Sequence, residues 1–137
     1  MWLKALRSII MSCLLSTSTP AFPIKVIYNT IVPYTGEPTL LNIFTCRASQ
    51  WVDGTNIIVY TYPFDSDIHR SFLRSYLNIS DSLYFSLHAT YAKAHHKVKV
   101  VNSDDEMVMM VGFTPNSIGY VIDQRVINRN KMVTILE

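Results

Sequence analysis

Six consecutive β-prone residues, Ile57-Ile58-Val59-Tyr60-Thr61-Tyr62, stop at Pro63, and from Ser66 the pattern becomes helical. A strand that is apolar almost throughout has no polar face to turn to water, so it belongs in a sheet covered on both sides. In the helix that follows, Ile68, Phe72, Leu73, Tyr76 and Leu77 recur at helical spacing, while Asp67, Arg70 and Arg74 share the opposite face. His69 falls beside the cap and reads as a surface residue. A doubly covered strand feeding straight into a helix is a building unit of α/β folds.

The same alternation continues on either side. Residues 24–28 alternate as an opening strand, 33–38 form a Pro- and Gly-containing loop, and a helix follows over 39–44. Asp53-Gly54 marks a turn. Asn78 closes the helix after the central strand, and Ser80-Asp81 caps another in which Leu83, Tyr84, Leu87 and Tyr91 line one side. Residues 97–101 alternate as a strand. Ser103 with Glu106 three positions on is a capping box, opening a helix whose buried stripe is Met107, Met110 and Val111, stopped by Thr114-Pro115. Residues 118–122 and 132–136 are the last strands. The predicted order β-α-β-α-α-β-α-β-β favours a three-layer α/β sandwich around a mostly parallel or mixed sheet.

With 137 residues, 49% of them hydrophobic and 16% charged, the chain suits one compact domain. It has no apolar run of about 18–20 residues able to span a bilayer. The N-terminus reads apart from the rest. Lys4 and Arg7 precede a short apolar stretch over 8–16, and Ser16-Thr17-Ser18-Thr19-Pro20-Ala21 supplies small residues at its exit. That is the layout of a secretory signal over 1–21, cleaved after Ala21, with a mature domain over 22–137 that is periplasmic or secreted. Cys13 fits a lipid-attachment site poorly, because the stretch before it is short and contains Met11.

Removing Lys4 and Arg7 from the 12 basic residues leaves 10 against 10 acidic ones, so the mature part is neutral and has no basic patch for nucleic acid. Cys46 is then the only thiol, which excludes an internal disulfide, and its apolar neighbours mark it as a small core residue. His88, His95 and His96 lack Cys, Asp or Glu at ligand spacing, so neither a metal nor another cofactor is expected. No nucleophile and base pair and no Gly-rich phosphate loop is present, and the chain reads as a non-enzyme.

One locus carries oxyanion chemistry. At the turn Tyr62-Pro63-Phe64-Asp65-Ser66 a buried strand passes into a helix, and ligands of open α/β sheets collect outside such strand ends. Ser66 offers a hydroxyl, the backbone at Asp67 offers an amide, and Arg70 offers a counter-charge one turn in. The competing reading makes Ser66 or Asp65 a simple N-cap and pairs Arg70 with Asp67 on a solvated face.

Four blocks in order, Trp51-Val52-Asp53-Gly54, the Ser66 turn with Arg70 and Phe72, Ser103-Asp104-Asp105-Glu106, and Thr114-Pro115-Asn116-Ser117-Ile118-Gly119-Tyr120, resemble the type 2 periplasmic binding-protein superfamily. Within it they are most similar to phosphate-transporter substrate-binding proteins of the PstS kind and their short bacterial relatives. Two positions where that family has glycine carry Cys46 and Asn116, and its Ser-Gly-Thr anion turn appears as Ser66-Asp67-Ile68. Losing those glycines restricts close approach of backbone to a ligand.

The resemblance implies one lobe of a two-lobed clamp. It also implies a small oxyanion such as phosphate at Ser66, Asp67 and Arg70, and a role as an accessory solute-binding component of phosphate transport. A second lobe would have to come from another subunit or a transporter protein. The alternative is a structural or protein-interaction module of the cell envelope that keeps the fold and has lost ligand binding.

Overall fold

The computed structural model describes residues 23–32, 34–95 and 98–136, without the side chains of 92–95. The predicted signal over 1–21 and the imidazoles of His95 and His96 lie outside the described residues.

Five strands form one mixed sheet: β1 (Lys25–Asn29), β2 (Ile58–Thr61), β3 (Val98–Val100), β4 (Ser117–Val121) and β5 (Val133–Ile135). Their spatial order is β3-β2-β4-β1-β5. β2 runs parallel to both β3 and β4, whereas β1 is antiparallel to β4 and β5. The helices are α1 (Leu40–Phe44), α2 (Asp67–Phe72), α3 (Asp81–His95) and α4 (Asp104–Phe113), followed by a 3-10 turn over Gln124–Arg129 that the sequence pattern did not disclose. β2 is buried through Val59, Tyr60 and Thr61, as its composition requires.

Two adjacent residues of β4 show that both faces of the sheet are covered. A Cβ on Gly119 would lie 2.5 Å from the sulfur of Met107 and 3.3 Å from Val111, so α4 packs against that face. The next side chain points the other way. Tyr120 stacks at 3.9 Å on Phe72 of α2 and lies edge-on to Phe44 of α1 at 5.8 Å. This is the three-layer α/β arrangement.

Caps expected at Ser66, Ser80 and Ser103 form, each accepting the amide three residues on, at the starts of α2, α3 and α4. Thr39 does the same for α1. Glu106 reaches back one residue further than a capping box requires, accepting the amide of Asn102 at 3.3 Å instead of that of the N-cap Ser103. α2 runs on into a π-helical turn over Leu73–Leu77 and ends at Asn78, whose φ of 53° is left-handed. At the far end of α4, buried Asn29 donates to the carbonyls of Val111 and Gly112, groups that have no partner inside the helix.

The predicted buried faces need correcting in two helices. In α2 the buried stripe is His69, Phe72, Leu73 and Leu77, while Tyr76 is exposed and donates to the carbonyl of Ile24. His69 is therefore a core residue, 2% exposed, and not a surface one. In α3 Tyr84 is buried but Leu83 is exposed, because only one narrow face of this long helix meets the body of the protein. Cys46 is buried as expected, and burial pushes its thiol up to about 11. Among the described residues no helix is long and apolar enough to cross a membrane.

Candidate functional site

At the C-terminal end of β2 the chain turns through Pro63, Phe64 and Asp65 into α2. Ser66 is the N-cap: its Oγ accepts the amide of His69 and donates to the carbonyl of Pro63 at 2.6 Å. Its one hydroxyl proton is thus already committed. The amides of Asp67 and Ile68 belong to the first turn, which has no intrahelical acceptor for them.

Arg70 is held between two helices. Its Nη1 lies 3.5 Å from Asp67 and its Nε 3.5 Å from Asp81, the first residue of α3. Both separations exceed the 2.7–2.9 Å typical of close charge-assisted contacts. Arg70, Asp65 and Asp81 line a cavity of about 560 Å³ between α2 and α3, with Phe64, His69 and Tyr84. Of the predicted oxyanion residues, Ser66 and Arg70 stand on the same turn of α2, while the Asp67 carboxylate points outward and is 84% exposed. One guanidinium here is shared by two carboxylates, Asp67 and Asp81, with Asp65 on the same cavity lining, which lowers the potential available to a free anion.

Beneath the cavity lies a polar cluster that the sequence did not single out. His69 Nδ1 sits 2.9 Å from the hydroxyl of Tyr120 and 3.2 Å from Thr61 Oγ1, and the two hydroxyls are 2.9 Å apart. The Tyr120 oxygen also accepts the amide of Tyr62 at 3.3 Å. Burial lowers His69 to about 4 and pushes Tyr120 up to about 12, so the imidazole and phenol are both neutral at pH 7. The Thr61 and His69 pair has the spacing of a nucleophile and its base. Thr61 is wholly buried, however, and offers no path to a substrate. The only sequence signal for this cluster is that position 69 shares the helical stripe of Phe72, Leu73 and Leu77.

The other helix start at this edge of the sheet already holds an anion. The Asp104 carboxylate, in the first turn of α4, accepts the amides of Ile122 and Asp123 and the hydroxyl of Tyr62. It ties together the ends of β2 and β4. Burial, and then the adjacent carboxylate, push Tyr62 far above its ordinary value. With Asp105 and Glu106 in the same turn, a second anion at α4 would meet like charge.

Comparison with known proteins bears on the architecture. No protein-family model and no curated protein matches the chain. Two solved structures do. PstS from Borrelia burgdorferi superposes with a TM-score of 0.62 at 21% identity, over 84% of this chain and 46% of that one. An ABC-type phosphate transport receptor from Vibrio cholerae gives 0.59 at 19%, over 84% and 45%.

The chain has a PstS-like fold.

It spans under half the length of these receptors, so the PstS-like fold here corresponds to a single lobe. Cys46 and Asn116, the two positions that the sequence resemblance sets against glycine, both have a left-handed backbone, with φ 65° and φ 67°.

Proposed function

We propose that the protein is an exported, non-catalytic solute-binding module, an accessory component of phosphate uptake. In this reading it recognises a small oxyanion such as phosphate at the Ser66 turn, through the Asp67 amide and the Arg70 guanidinium. The observation that carries it is the position of Arg70, one turn inside a helix that opens at the C-terminal end of a parallel strand, beside a cavity of about 560 Å³. Binding by this lobe alone is weak. Arg70 is shared with Asp67 and Asp81, Ser66 spends its proton on Pro63, and one lobe leaves a bound ion half solvated. A second subunit or an envelope partner would complete the site.

The same saturation of Ser66 and Arg70 favours a second reading, an interaction module of the envelope that no longer binds an ion. Phosphate titration followed by amide NMR separates the two. On the first reading, millimolar phosphate shifts the amides of residues 66–70, and Arg70→Ala weakens binding about tenfold or more. No shift with phosphate or sulfate, for the monomer or any oligomer it forms, would leave the interaction module.

A further inference from the structure

The end of the sheet opposite the Ser66 turn is apolar and exposed. Four strand ends meet there, and each brings a bulky side chain to the surface: Val52, 75% exposed, on the turn before β2; Phe113, 78% exposed, at the end of α4 before β4; Ile31, 59% exposed, just after β1; and Met132 just before β5. Hydrogen bonds hold these segments together. Asn29 donates to the carbonyls of Val111 and Gly112, beside Phe113, and Thr30 donates its amide to the carbonyl of Met132 at 2.6 Å. The Trp51 indole donates to the carbonyl of Asn116 at 2.9 Å, which draws the turn carrying Val52 up to the start of β4. Large apolar side chains gathered on one exposed surface mark a face that another molecule covers.

Charge indicates which molecule that is. Lys131 stands at one side of the patch, next to Met132, and joins no ion pair among the described residues; Asp53 stands at the other side, next to Val52. The sheet order places β4 and β1 between them, so the two charges are separated by about three strand spacings, or ~14 Å. An apolar strip with a cation at one end and an anion at the other is complementary to itself. A two-fold rotation lays apolar on apolar and sets each lysine against the other copy's aspartate. An anionic bilayer is a poorer match, because Asp53, and Glu37 in the loop that Tyr34 packs edge-on against Trp51, would face like charge.

We infer that this face binds a second copy of the chain in a two-fold dimer, with Phe113 and Ile31 near the axis and Lys131 of each copy against Asp53 of the other. The arrangement has a consequence for the candidate site. Ser66 and Arg70 lie beyond the opposite end of β2, so both copies hold them on the outer ends of the dimer. The second copy therefore does not close over the Ser66 turn, which stays open to an envelope partner.

Sedimentation velocity of the purified protein, from micromolar to near-millimolar concentration, reads the association directly. The wild type is expected to form a reversible dimer. Phe113→Asp should stay monomeric with the circular dichroism of the wild type, since a charge at the centre of the patch would be buried unpaired. Lys131→Glu should weaken the dimer at least about tenfold, because two symmetric contacts then bring like charges together. In an Asp53→Asn background, where the side-chain oxygen still holds the Thr55 amide and hydroxyl, the same change should cost much less. An equal loss in both backgrounds would overturn the two-fold pairing. A wild type that stays monomeric over the whole range, or a dimer that Phe113→Asp leaves intact, would overturn the inference outright. So would a monomer that sediments with vesicles of anionic phospholipid and no longer does so as Phe113→Asp, which would assign the patch to a lipid surface.

Discussion

The imidazole Nδ1 of His69 lies 2.9 Å from the phenol oxygen of Tyr120, joining α2 to the central strand β4 inside the core. Residues 51 apart in the chain thereby hold the turn that carries Ser66 and Arg70 against the end of the sheet. Tyr120→Phe keeps the stacking on Phe72 and the packing volume but removes the acceptor for the Tyr62 amide. Thr61 and His69 remain within 3.2 Å of each other and can still pair. One orphaned buried amide costs about 1–3 kcal/mol, which urea denaturation of the variant at pH 7 would measure.

His69 also makes stability depend on pH. Its folded value, lowered by burial to about 4, lies below the ordinary 6.5, so the unfolded chain takes up the proton more readily. The contribution is fully present above pH 6.5 and is lost as pH falls from there toward 4. Between pH 7 and 5 the wild type should lose about 2 kcal/mol from this group. His69→Gln keeps a hydrogen-bonding side chain without the titration. Its denaturation midpoint should fall less steeply over the same interval, and parallel slopes for the two proteins would refute the assignment.

Gly119 is required by the approach of α4. A methyl group there would meet the Met107 sulfur at 2.5 Å and the Tyr60 carbonyl at 3.3 Å. Met107 is flexible but fully buried, so there is little room to yield. Gly119→Ala is expected to cost about 1–3 kcal/mol as overpacking, read from its thermal midpoint against wild type.

Asn116 tests the backbone at a position that the sequence resemblance sets against glycine. Its φ of 67° is left-handed, and its carbonyl accepts both the Trp51 indole and the Ile58 amide. Asn116→Gly should stay close to wild type in stability. Asn116→Val should lose about 1–2 kcal/mol, because a β-branched side chain resists that conformation. Equal stability of the two variants would show that the strain is relieved elsewhere.

Export is checked on the protein itself. The mature chain should begin near residue 22 when recovered outside the cytoplasm, as the basic, apolar and small-residue order of the first 21 positions predicts. Mass spectrometry of soluble protein with an intact Met1 would remove this expectation. Membrane retention through an acylated Cys13 would instead identify a lipoprotein.

Local chemistry was enough to read the alternation of elements. The doubly buried β2, the caps at Ser66, Ser80 and Ser103, the stop at Asn78 and the break at Thr114-Pro115 all depend on residues within about four positions of one another. The sheet order β3-β2-β4-β1-β5 was not legible in this way, because pairing of β1 with β4 and β5 joins segments about a hundred residues apart.

The candidate site divides along the same line. Ser66 and Arg70 were visible as a helix start with a cation one turn in, since both lie on one short segment. What each does was decided elsewhere: Arg70 by Asp81 on α3, and Ser66 by a carbonyl exposed where Pro63 bends the chain. Helical spacing puts His69 on the stripe of Phe72, Leu73 and Leu77, but no neighbour in sequence offers its ring a partner. It is buried because Thr61 and Tyr120, on two neighbouring parallel strands, present hydroxyls where α2 crosses the sheet, and a buried polar ring is tolerated only where such partners converge. Asp104 likewise reads as one of several first-turn acids until β2 and β4 bring Tyr62 and the amides of Ile122 and Asp123 to it. Periodicity and capping fix which residues face inward within an element. Only the packing of distant elements settles which polar groups meet there, because hydrogen bonds between them depend on contacts that no local spacing encodes.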